Sequence, residues 1–82
     1  MKKRIYIKEN WGMFPREDGS KKKEYRCEMF WKRYRLWPFW NKIDGTFDEP
    51  KRLSRLLGYE KNYDVFVWDG IFSQFVPLEE ML

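Results

Sequence analysis

The sequence predicts an α+β fold: a small domain over residues 1–82, with a mainly antiparallel sheet of about four to five strands and one short α-helix packed on it. Three observations lead there. The 17 aromatic residues (7 Phe, 5 Trp, 5 Tyr) outnumber Val, Ile and Leu, and alanine is absent, which removes the best helix former and favours pleated, half-buried surfaces. Short alternating runs are divided by Asp-Gly turn signals. One segment only, opened by Asp48-Glu49-Pro50, carries a helix start followed by leucines at helical spacing. Leu, Ile, Val and Phe make up 20 of the 82 residues, enough for a folded chain with a small core.

The elements follow in order. Arg4 to Lys8 alternates, with Ile5 and Ile7 on one face and Tyr6 on the other, as a half-buried strand does. Residues 9–20 read as a loop, because Gly12, Pro15 and Asp18-Gly19-Ser20 are turn chemistry. Trp11, Met13 and Phe14 would fold back from it as a lid on the core. Residues 24–32 alternate again: Tyr25, Cys27, Met29 and Trp31 face one way, Arg26, Glu28 and Lys32 the other, and only Phe30 breaks the pattern. A helix is the rival, with Cys27, Phe30, Trp31, Tyr34 and Trp37 on one stripe and Pro38 as its stop. Lys21 to Lys23 would then crowd the positive end of the helix dipole, so the strand is preferred. On either reading Arg26, Lys32, Arg33 and Arg35 are expected to face solvent.

A short strand over Phe39 to Ile43 should end in a turn at Asp44-Gly45. Asp48 or Thr46 caps the helix, Glu49 and Pro50 suit its first turn, and Gly58 is expected to close it. Leu53, Leu56 and Leu57 would pack on the sheet, leaving Lys51, Arg52 and Arg55 outside. Tyr63 to Trp68, Asp69-Gly70 and Ile71 to Val76 read as a hairpin with a two-residue type I′ turn. That register sets Trp68 opposite Ile71, Val67 opposite Phe72 and Tyr63 opposite Val76. Both faces of its first strand are apolar, which predicts an interior strand. Pro77 stops the second, and residues 78–82 form a terminal turn.

Charge is divided along the chain. Residues 1–43 hold 13 basic and 5 acidic groups, whereas residues 44–82 hold 4 and 8, giving the net charge of +4. A polyanion would approach the N-terminal half. Chemistry is sparse by contrast. There is no histidine, hence no His-based general acid or nucleophile pair and no usual zinc ligand. Cys27 is the only cysteine and sits at an inward position, so neither a disulfide nor a thiolate metal site is expected. No P-loop or G-x-G-x-x-G occurs. Asp44, Asp48 and Glu49 are accounted for by turn and cap roles. The chain is therefore expected to be no enzyme and to need no cofactor, a metal-independent nuclease built on Arg, Lys and Tyr being the exception. A lone cysteine and the lack of a signal peptide point to the reducing cytoplasm, and no apolar run approaches the roughly 18 residues of a membrane span.

What remains is residues 21–42, with seven aromatics among eight Lys and Arg and two acids, Glu24 and Glu28. Rings stack on bases while neighbouring cations meet phosphates, so the expected partner is single-stranded nucleic acid, bound with little sequence preference. Arg26, Phe30, Lys32 and Tyr34 would form the stacking platform, with Lys21 to Lys23, Arg33 and Arg35 on phosphates. The other class is a protein-binding module or inhibitor of the kind viruses and mobile elements direct at host enzymes, anchored by Trp37, Phe39 and Trp40. Membrane-surface binding would need a helix over residues 24–37 and is not expected. An aromatic-rich edge strand would also allow a homodimer.

Overall fold

The computed structural model describes residues 2–16 and 18–81. Within them the order is strand β1 (Lys3–Pro15), β2 (Lys23–Lys32), β3 (Asn41–Lys42), helix α1 (Glu49–Glu60), β4 (Tyr63–Asp69), β5 (Gln74–Pro77) and a short helix α2 (Leu78–Met81). The strands form a five-stranded mixed sheet in the order β3-β2-β1-β4-β5. β1–β2, β2–β3 and β4–β5 are antiparallel, and β1–β4, near the middle, is parallel. The α+β class is as expected, with one parallel pairing and a second short helix added. The parallel pairing follows from α1, which carries the chain across the sheet and returns it beside β1 in the same direction.

One face of the sheet packs under α1. Ile5 and Ile7 of β1, Cys27 and Met29 of β2, and Val65 and Val67 of β4 meet Leu56 of the helix, and Ile43, Phe47 and Leu78 close the edges of this core. Alternation put these residues on one side, and their burial drives the fold. Asp48 caps α1 by accepting from the Lys51 backbone N–H at 3.0 Å. The helix passes through Gly58 and ends two residues later, because Tyr59 beyond it packs against the core. Of the three leucines only Leu56 is fully buried, and Leu57 is exposed.

The other face is aromatic. Tyr6 is buried between Phe66, stacked at 5.5 Å, and Phe75, edge-on at 4.9 Å, and Trp68 meets Phe75 at 5.1 Å. Residues 33–40, between β2 and β3, bring Trp40 over this layer, 6.3 Å from Phe75.

Two expectations are corrected. The segment read as a loop from Glu9 is strand through Pro15, paired with β2 from Tyr6↔Lys32 to Pro15↔Lys23, and the turn lies beyond it, where Asp18 accepts from the Ser20 N–H at 3.0 Å. Trp11 is thus no lid: it stacks on Tyr25 at 5.4 Å from within the strand. The β4–β5 hairpin has a four-residue loop, not a two-residue turn. Trp68 faces Phe75 and Val67 faces Val76, while Tyr63 pairs with Lys3 of β1. The Asp69 carboxylate holds this loop by accepting from the Ile71 N–H at 2.9 Å, and the positive φ falls at Ser73, not at Gly70.

Candidate functional site

β2 is a strand, so alternation decides where its cations go. The even residues Arg26, Phe30 and Lys32 share the aromatic face, as expected, yet Arg26 and Lys32 are not exposed: they retain 7% and 8% of their accessible surface. Arg26 sits opposite Gly12 in the far half of the β1–β2 hairpin, where the Glu24 carboxylate accepts from its Nη2 at 3.1 Å. Glu24 also pairs with Arg16, and the two guanidiniums, Arg26 foremost, hold its carboxyl below the usual range. Six residues along an extended strand separate Arg26 from Lys32 by roughly 20 Å, so the two do not share one platform.

Lys32 is enclosed by rings. Its Nζ lies 4.4 Å from the Trp40 centroid and 5.3 Å from that of Phe75, and donates to the Trp37 carbonyl at 3.0 Å. Burial pulls its pKa below the ordinary lysine value, while the ring faces favour the cation that remains. Lys8 of β1 approaches the same indole, 5.9 Å from the centroid of Trp40. Between residues 33–40 and the β4–β5 hairpin this leaves a cleft of about 420 Å³. Lys8, Lys32 and Arg35 bring three positive charges to it, Trp40, Trp68 and Phe75 bring rings, and among the described residues no carboxylate lines it.

The remaining expected residues divide. Arg33, of odd parity, lies across the sheet beside a separate apolar cavity of about 260 Å³ walled by Trp31, Tyr59 and Tyr63. Tyr34 is exposed and meets Trp37 at 6.4 Å, and Trp37 meets Phe39 edge-on at 5.7 Å, forming an exposed aromatic ridge at the cleft rim. Trp40 belongs to the cleft wall and not to that ridge. Lys8, Trp68 and Phe75 were missed by reading residues 21–42 alone. Their signal was the even parity of Tyr6, Lys8, Phe66 and Trp68, visible once β1 and β4 are neighbours.

Under α1 lies a second polar cluster with a structural role. The Glu9 carboxylate takes Arg52 in two places, Nε on Oε2 and Nη2 on Oε1 (2.9 Å), and Cys27 Sγ lies 3.9 Å from Oε2. Arg52, expected outside, is drawn inward by this pair. Burial first, and the Glu9 charge second, push the Cys27 thiol up to about 12, so it stays protonated and is no nucleophile at neutral pH. Among the described residues no group of three or more His, Cys, Asp or Glu gathers as a metal site would require, and no helix is long and apolar enough to cross a membrane. Comparison of the chain with protein-family models, with curated proteins and with solved structures finds no match.

Proposed function

We propose that this protein binds single-stranded nucleic acid with little sequence preference and without catalysing a reaction, through the cleft between residues 33–40 and the β4–β5 hairpin. One observation carries the reading: three cations and three aromatic rings converge on a cleft that, among the described residues, no acid lines. Lys8 and Arg35 are the phosphate partners, and Trp68 and Trp40 offer ring surface to bases. Lys32, already occupied by the Trp37 carbonyl, contributes fixed positive potential. Tyr34, Trp37 and Phe39 extend the stacking surface along the rim. Every base has a π-face, so such a surface reads stacking and charge, not sequence.

Titration of the tryptophan fluorescence with short single-stranded RNA, single-stranded DNA and duplex DNA tests this. Single strands should quench Trp40 and Trp68. With the two phosphate contacts of Lys8 and Arg35, affinity should fall about 7-fold between about 50 and about 200 mM salt. No binding to any single strand at the lower salt refutes the reading.

A second reading has its own observation. Leu36 and Ile71 retain 91% and 87% of their surface, and Phe72 is bare beside Ile71. Aliphatic side chains give a base nothing to stack on, and exposed apolar surface of this kind marks sites of contact with other proteins. This favours a protein-binding module or inhibitor, with Trp37 and Phe39 beside Leu36 as anchors. Ile71→Ser with Phe72→Ser separates the two: both residues are exposed and lie outside the cleft lining, so nucleic-acid affinity should survive that change.

A further inference from the structure

We propose that the chain forms a two-fold dimer by pairing β1 with the β1 of a second copy, antiparallel over Glu9–Pro15 and centred on Gly12. This does not rest on the nucleic-acid reading. β4 accompanies β1 only from Lys3 to Ile7, whereas β2 follows it to Pro15. Among the described residues no strand pairs with the outer edge of β1 beyond that point.

The polarity of that edge follows from β2. Cys27 donates to the Phe47 carbonyl at 2.8 Å and accepts from the Phe47 N–H at 2.9 Å, so its backbone groups point away from β1. Trp11, directly opposite Cys27, must then point its own N–H and C=O away from β2. By alternation Glu9 and Met13 do the same, and Pro15 presents a carbonyl only. A row of ladder groups is left open.

Natural edges of this kind are guarded by lysines, inward charges or short length. Here the one inward charge, Glu9, is satisfied by Arg52, and the one proline, Pro15, stands at the far end, so the middle of the edge is unguarded. Residues 9–15 contain no cation, and their single acid, Glu9, is neutralised by Arg52, so the paired segment itself sets no like charges against each other. Arg16, just beyond, is paired with Glu24.

The edge also fits itself. A two-fold axis at Gly12 uses the whole open segment. Trp11 and the partner copy of Met13 then exchange both backbone bonds, and Glu9 donates to the carbonyl of the second Pro15. On the α1 face Met13 and Tyr25 keep 59% and 62% of their surface. The pairing lays Tyr25, Met13, the second Trp11 and the second Cys27 in one row and sets the exposed Met13 against the second Trp11. A two-fold, self-complementary contact of this type closes at the dimer and leaves β3 and β5 as the outer edges.

Sedimentation of the full chain at tens of micromolar should give twice the chain mass. Met13→Pro is the decisive variant, because the N–H it removes has no partner within one copy, so the monomer should keep its far-UV spectrum while the dimer is lost. Met13→Lys, which restores a guard, should do the same. The register has its own readout. Opposed Gly12 residues form a non-hydrogen-bonded pair, so Gly12→Cys should cross-link two copies on oxidation, with the inert Cys27 left in place, whereas Asn10→Cys should not. A Cβ at residue 12 meets only the Phe14 ring, at 3.5 Å, an ordinary contact. A monomer at all concentrations overturns the proposal. So does a dimer that survives Met13→Pro and fails to cross-link at residue 12.

Discussion

Glu9 and Arg52 join the longest strand to the helix through a two-point ion pair beneath α1. The Glu9 side chain keeps 7% of its surface and the Arg52 side chain 13%, and Arg52 also lies over the Trp11 ring at 5.7 Å. Hydrogen bonding to Glu9 is the main reason the Arg52 pKa stands above its ordinary value. Arg52→Ala leaves the buried Glu9 carboxylate alone and should cost about 3–5 kcal/mol, and Glu9→Ala should cost less, because Arg52 keeps Glu49, which accepts from its Nη1 at 2.9 Å. For a chain of this size that is a large share of the total, about 4–12 kcal/mol. Replacing both by leucine should cost less than the sum of the single changes, because no charge is then left alone. Urea denaturation of the four proteins measures this.

The same pair explains what was legible in the sequence and what was not. Cys27 and Met29 lie in the core because clean alternation placed them there, and Asp48 caps α1 because nothing else competes for the role. Alternation ends β1 at Lys8, seven residues before its true end at Pro15, because Glu9 stands where the pattern demands an apolar residue. Its partner lies 43 residues away, and no local pattern shows it. The cleft failed for a related reason. Lys32 looked like a surface cation, and only the return of Trp40 and Phe75 from distant segments encloses it.

The Cys27 thiol gives a pH-dependent test. Its pKa rises from 9.0 to about 12 on folding. Below about pH 9 both states keep the proton and the group has no effect. Between 9 and 12 only the unfolded chain releases it, so stability falls as pH rises, by at most about 1.4 kcal/mol per unit. Cys27→Ala lacks this contribution. Urea midpoints at pH 8 and pH 10.5 should therefore drop further for the parent than for the variant. At pH 8 a thiol reagent should label Cys27 only as fast as the chain opens.

The β4–β5 loop makes two opposite predictions. Asp69→Ala removes the carboxylate that accepts from the Ile71 and Phe72 N–H groups, at 2.9 and 3.5 Å, and should cost about 1 kcal/mol. Ser73 has φ 50°, a left-handed conformation that glycine adopts without a Cβ clash. Ser73→Gly should raise stability by about 0.5 kcal/mol, the relief of that clash exceeding the entropy glycine adds to the unfolded chain. Thermal melts distinguish the signs. A type I′ turn at Asp69-Gly70 would instead make Ser73→Gly destabilising.

Positive charge is present on both faces of the sheet, so the proposed cleft must be distinguished from a diffuse attraction. Lys8 and Arg35 line it, while Lys51 and Arg55 flank a groove on α1. Each phosphate contact on a single strand contributes about 0.7 to the slope of log affinity against log salt. Lys8→Gln with Arg35→Gln should therefore flatten the slope by about 1.4. Lys51→Gln with Arg55→Gln removes the same charge from the chain and should leave the slope unchanged. Trp68→Ala should weaken binding by about 1–3 kcal/mol without altering the slope, because a stacked ring releases no counterions. Equal losses from the two charge pairs would mean that the protein attracts a polyanion everywhere and holds it nowhere in particular, and the cleft would then have no special claim on the ligand.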